Sequence, residues 1–164
     1  MLRQYHSTLV LGPVSTTSDI LEVGIAMRSN RVTRTIVLKS GGRIGDDGML
    51  PIAKALRTNF ALHSLIIQQN DVGHEGVRHL AESLRKHNYG LQMLMLEDNR
   101  VGDKGLLHLC VAMKDYWFYK YGKLTKLVLT RADISDEVCD HLSSLITVSL
   151  ILFPYNRFSH PLLL

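Results

Sequence analysis

The chain has 164 residues, 46% hydrophobic and 21% charged, enough for one domain with a core and too apolar for a disordered tail. Its formal charge of +4 is dispersed without a basic block, which argues against a nucleic-acid partner. No apolar run approaches the ~18 residues of a membrane span, and the short run at residues 9–11 is no signal peptide, so no membrane partner is expected.

Taken in chain order, one pattern keeps returning. A weak copy begins at Leu9 with LVLGPV. Residues 36–52 read IVLKSGGRIGDDGMLPI, 65–80 read LIIQQNDVGHEGVRHL, 94–109 read LMLEDNRVGDKGLLHL and 127–142 read LVLTRADISDEVCDHL. The last three align without a gap, and residues 36–52 need one extra residue. The tail ILFPYNRFS starts the pattern again at Ile151. Strand starts therefore fall near 9, 36, 65, 94, 127 and 151, with steps of 27, 29, 29, 33 and 24. The links AMRSNRVTRTI, ALRTNFALHSL and SLRKHNYGLQML repeat as well.

In each L-x-L the two apolar residues share one face of a short strand, because side chains alternate with period two. The asparagine at 70, 99 or 156 is placed to turn inward and bond backbone groups left open as the chain bends. The Gly-x-x-Gly pairs at 73/76 and 102/105 suit a tight turn into a helix whose first turn is acidic. In VRHLAESL, Val77, Leu80, Ala81 and Leu84 fall on one helical face.

On these motifs the sequence resembles the leucine-rich repeat proteins of the ribonuclease-inhibitor-like type, over nearly its whole length. That resemblance implies an α/β leucine-rich repeat solenoid, a short curved horseshoe with parallel strands on its concave face and helices on its convex face. About six repeats of 28–29 residues are expected in a single domain, 1–164, with the last truncated. The chain starts just before the first strand and stops as a sixth helix would begin. Its ends therefore read as those of a fragment of a longer array, of a shortened gene product, or of a chain covered by a partner. Uncapped strand edges also predict self-association.

Chemistry-bearing motifs are thin. GGRIGDDG lacks the Lys-Ser/Thr of a phosphate loop, and the acidic turns lack the alternating carboxylates of a calcium loop. His79, His108 and His141 recur at one repeat position. Helices ~8–10 Å apart cannot bring them within zinc distance, so no metal is expected. No G-x-S-x-G elbow or local Cys-His pair is present, and neither a cofactor nor an enzyme activity is expected. Cys110 and Cys139 occupy unrelated repeat positions and suit a reducing, cytoplasmic setting, the cytoskeleton or cilium included.

The strand phase defines the outward surface. One column, Val10, Val37, Ile66, Met95, Val128 and Leu152, is apolar throughout. The next two, Gly12, Lys39, Gln68, Glu97, Thr130, Pro154 and Pro13, Ser40, Gln69, Asp98, Arg131, Tyr155, are mixed and polar. An apolar stripe with a polar rim fits a protein partner. The expected binding residues are Val37, Lys39, Ile66, Gln68, Met95, Glu97, Asp98, Val128, Thr130 and Arg131. The aromatic insertion KDYWFYKYGK supplies a second candidate in Tyr116, Trp117 and Tyr119. The expected function is a non-catalytic protein-interaction module, with small-GTPase regulation of the Ran GTPase-activating-protein kind or a cytoskeletal or ciliary scaffold as alternatives.

Overall fold

A strand starts at or just before each apolar repeat start, and strand follows strand without a register slip. The computed structural model describes residues 8–12, 16–39, 44–86, 88, 90–114, 123–135, 137–138 and 151–152. Their elements alternate: β1 (Thr8–Leu11), α1 (Thr17–Ser29), β2 (Thr35–Leu38), α2 (Gly45–Leu56), β3 (Ser64–Gln68), α3 (His74–Lys86), β4 (Met93–Glu97), α4 (Gly102–Met113), β5 (Lys126–Val128) and β6 (Ile151–Leu152). The strands form one parallel sheet in chain order. Each residue pairs with its repeat equivalent: Leu9 with Ile36, Leu65 with Leu94, Leu94 with Leu127.

The inward faces make the core. Ile36, Leu38, Leu65, Ile67, Leu94, Leu96, Leu127 and Leu129 are all at most 2% exposed. Val77, Leu80, Ala81 and Leu84 of α3 lie against them, the helical face expected from the sequence. Helices need ~8–10 Å between axes, whereas strands need only ~4.8 Å. A stack of such units therefore bends with its sheet on the inside. At the first unit the inward side is partly open. Leu9 is 42% exposed, and a groove of about 350 Å³ runs between β1 and α1, lined by Leu11, Val23, Ala26 and Met27.

Two asparagine ladders hold the units together. Asn99, 2% exposed, donates from Nδ2 to the carbonyls of Ile67 (3.0 Å) and Glu97 (2.9 Å). Its Oδ1 accepts the N–H groups of Asn70 and Val72, each at 3.1 Å. Asn70 repeats the donor half, to Leu38 (3.1 Å) and Gln68 (2.7 Å). Asn156 lies outside the described residues. The second ladder stands where the chain enters each strand. Asn59 donates to the Met27 carbonyl (2.6 Å) and accepts from Ala61 and Leu62, both at 2.9 Å. Asn88 does the same with Leu56 (2.7 Å), Gly90 (3.1 Å) and Leu91 (2.9 Å).

The expected glycine turn is realised in part. Gly102 has φ +62, the left-handed conformation that a side chain resists. Gly73 instead receives help from the preceding unit: its N–H donates to Asp46 Oδ1 at 2.6 Å. Asp103 serves Ser135 in the same manner, at 2.8 Å to its N–H. Gly105 is a packing residue, since a Cβ there would meet Val101 at 2.8 Å.

Replacing Asn99 with alanine removes four hydrogen bonds to the backbone, three of them buried, including the acceptor of the Asn70 and Val72 N–H groups. The expected cost is about 3 kcal/mol, read as a lower urea midpoint with an unchanged slope. A loss below about 1 kcal/mol would mean that the ladder is not what joins the units.

Candidate protein-binding face

The outward sheet face carries the expected column in register. Val10 pairs with Val37, Val37 with Ile66, Ile66 with Met95, Met95 with Val128 and Val128 with Leu152. Val37, Ile66 and Met95 are half-buried, neither core nor fully solvated. Val10 is 50% exposed. Apolar side chains at this degree of exposure, side by side on adjoining strands, offer a continuous surface that gains by being covered.

Beside this column runs a polar network that crosses three units. Gln68 Nε2 donates to Glu97 Oε2 at 2.5 Å, and Gln69 Nε2 to Asp98 Oδ2 at 3.2 Å. Arg131 then reaches back over both acids. Its guanidinium donates to Glu97 Oε1 at 3.0 Å and Asp98 Oδ2 at 2.5 Å, and its Nε to Asp98 Oδ1. A two-point grip of this kind is stronger and better oriented than a single contact. Hydrogen bonds from Arg131, and to a lesser extent Gln69, hold the Asp98 carboxyl below the usual carboxylate range. The same bond to Asp98 raises Arg131 above its ordinary value. Farther along the rim Arg100 pairs with Asp71 at 2.5 Å.

The network depends on a backbone feature that residue types did not announce. Gln69, Asp98 and Arg131, at one repeat position, all have left-handed backbone, with φ of 53, 51 and 49. Such a conformation is uncommon for residues with side chains and persists where the surroundings over-determine it. Here the flanking groups do so: Gln69 N–H donates to the Glu97 carbonyl (3.0 Å), Asp98 N–H to that of Thr130 (2.9 Å), and Asn70 and Asn99 turn inward next in sequence. The three side chains are thereby set in line across the units.

The expected binding residues divide by exposure. Lys39 and Arg131 are exposed, and Val37, Ile66, Gln68, Met95, Glu97 and Asp98 are half-buried. Val128 and Thr130 are not on open surface: they are 5% and 8% exposed. The period of a strand decides which side a residue takes, not what lies over that side, and for these two the expectation of a solvent-facing position is corrected. Tyr116, Trp117 and Tyr119 lie outside the described residues, as do His141 and Cys139. His79 and His108 are half-buried on α3 and α4, and Cys110 is buried. Among the described residues no three His, Cys, Asp or Glu side chains converge on a site for a metal ion, and no helix is long and apolar enough to cross a membrane.

Because Asp98 has a depressed pKa, its link to Arg131 is complete above the ordinary carboxylate value of about 4. The link is lost as pH falls through the lower folded-state value. In Arg131→Gln the Asp98 carboxyl is expected to titrate higher, by carboxyl-carbon NMR, with the fold intact by circular dichroism. An unmoved titration would show that the guanidinium does not hold this acid in solution.

No protein-family model matches the chain, and no curated protein sequence matches it. Among solved structures the chain is similar to leiomodin-1 actin-binding site 2, with a TM-score of 0.66 and 18% sequence identity, over 87% of this chain and 80% of that one. At that identity the likeness is one of fold, consistent with a repeat α/β solenoid.

Proposed function

We propose that this chain is a non-catalytic protein-interaction module of the ribonuclease-inhibitor-like leucine-rich repeat type, with six repeat starts, that binds a protein through its outward sheet face. The 29-residue spacing of the asparagines and the regular alternation of strand and helix support the repeat type. One observation carries the functional reading. Val37, Ile66 and Met95 stand in register and half-exposed beside the Gln68–Glu97–Arg131 network. An apolar centre with an ordered polar border is the anatomy of a protein interface. Methionine at 95, with its pliable thioether, suits contact with a shaped surface.

A cytoskeletal partner is the favoured identity. The structural likeness to an actin-binding site of leiomodin-1 supports it, since that protein's site is built on the same fold. Fold carries function only through the site grafted on it, so the support is by analogy.

In the double variant Ile66→Glu/Met95→Glu the fold is expected to survive, since neither side chain is in the core. Affinity capture from cells, read by mass spectrometry, should then lose one dominant protein relative to the unaltered chain. Co-sedimentation with filamentous actin, with both chains side by side, tests the cytoskeletal identity. Capture of the same partners by a folded variant would discard this face as the site.

A further inference from the structure

The opposite ends of the strands carry opposite chemistry. Where the strands end, acids collect: Asp71, Glu97, Asp98 and Asp133, joined by Asp46 and Asp103 at helix starts. Where the strands begin, residues 28–35, 57–64 and 123–126 contain no Asp or Glu at all. They contain instead Arg28, Arg31, Arg34, Arg57, Lys123 and Lys126, all but Arg34 exposed. The acids of the exit rim are matched by cations of their own, in the pairs of Arg100 with Asp71 and of Arg131 with Glu97 and Asp98.

Backbone bonds hold this basic rim in one line. The N–H groups of His63 and Ser64 donate to the Arg34 carbonyl at 2.8 and 2.9 Å, and those of Gln92 and Met93 to His63 at 2.7 and 2.9 Å. Thr125 and Lys126 complete the row on the Gln92 carbonyl, at 2.9 and 3.0 Å. The Arg34 side chain spans two links, donating to the Ala61 carbonyl at 2.8 Å. The field of this rim is felt by His63, whose pKa is lowered first by burial and then by Arg34 and Lys123.

Helix C-termini attract cations, and that accounts for Arg28 and Lys54 in the last turns of α1 and α2 and for Arg57 at the C-cap of α2. It does not account for Arg34 and Lys123, which precede strands, or for Lys126, the first residue of β5. Nor does it account for two bulky apolar side chains on the same rim: Val32 is 69% exposed and Phe60 53%. Cations interleaved with exposed apolar groups, and with no acid among them, complement a ligand that supplies carboxylates and apolar side chains together. A phosphate backbone supplies no apolar group to cover Val32.

We infer that the strand-entry rim is a second docking surface, which takes an extended acidic segment of a partner protein with apolar residues between its carboxylates. Strands ~4.8 Å apart carry the row over about 14 Å from Arg34 to Thr125. An extended peptide advancing ~3.3 Å per residue spans that row in four or five residues. Arg57 and Lys123 meet its carboxylates, and Phe60 and Val32 meet its apolar side chains. This surface is distinct from the Val37–Ile66–Met95 column, and each can fail without the other.

The test is fluorescence anisotropy with a labelled twelve-residue peptide in which Glu or Asp alternates with Leu or Phe. The same peptide with Gln and Asn for its acids, and a twelve-nucleotide oligothymidylate, serve as comparison probes. Binding of the acidic peptide is expected to weaken at least tenfold in Arg57→Glu/Lys123→Glu and in Phe60→Ser, and to change less than twofold in Ile66→Glu/Met95→Glu. Arg57→Lys/Lys123→Arg, which keeps the charge, should bind as before. NMR titration gives a reading that does not depend on a variant: the acidic peptide should hold the pKa of His63 higher than the Gln/Asn peptide does at saturation, since its carboxylates offset Arg34 and Lys123 while burial is the same for both. The inference is overturned if the acidic peptide does not bind, if it binds the charge-reversed chain equally, or if oligothymidylate binds the rim more tightly.

Discussion

A parallel strand only two to five residues long ends while its neighbours' backbone groups still point at it, and each buried group left open costs free energy. The asparagine side chain closes this gap, since it presents a donor and an acceptor with the spacing of a peptide unit. At the exit of the strand Asn99 joins its own unit to the one before through both ends of its amide. At the entrance Asn59 and Asn88 do the same from the helix side. With both ends of a strand tied, the inward leucines and isoleucines keep their register, and the outward residues form columns. The candidate binding face exists because of those buried amides, although none of them is on it.

That dependence explains which features were legible in the sequence. Strand phase was legible because leucines at alternate positions are a direct image of burial, and Leu65, Ile67, Leu94 and Leu96 are fully buried as that image requires. The exit ladder was legible from Asn70 and Asn99 at a fixed offset from the strand. The entry ladder at Asn30, Asn59 and Asn88 carried the same 29-residue interval, but polar residues between a helix and a strand also suit an ordinary connection. The left-handed backbone at Gln69, Asp98 and Arg131 had no signal, because glutamine and arginine do not favour that region. Without it the reach of Arg131 across Glu97 and Asp98 is invisible. The burial of Val128 and Thr130 was hidden for another reason: a period reports the face of a strand and says nothing of what covers it.

The two rims express one further regularity. All strands run parallel, so all four described helices return in the same sense, and their dipoles add along one direction. Carboxylates are favoured where helices start, and two of them, Asp46 and Asp103, reach forward to backbone N–H groups of the next unit. Cations are favoured where helices end, and the strand entrances extend that basic side beyond what the dipoles require. A repeat fold thus sorts charge by position in the unit and leaves three surfaces of different character: an acidic rim with internal pairs, a basic rim, and an apolar column between them.

The ladders also bear on how such a chain can change length. Each asparagine bonds to residues a fixed interval behind it, 32 for the main carbonyl contact of Asn59, Asn70, Asn88 and Asn99 alike. Duplicating or deleting a whole 29-residue unit restores every one of those partners, while an inserted residue left uncompensated between an asparagine and its partner changes the interval. Irregular lengths fall where the exit position lacks its asparagine, and the contacts of Asn59 and Asn70 keep their interval across one of them. The one-residue insertion in residues 36–52 accompanies Gly41 in the asparagine position, and the 33-residue step precedes Ala132 in that position. Copying in whole modules, with point changes confined to the outward columns, is the mode of divergence this backbone permits.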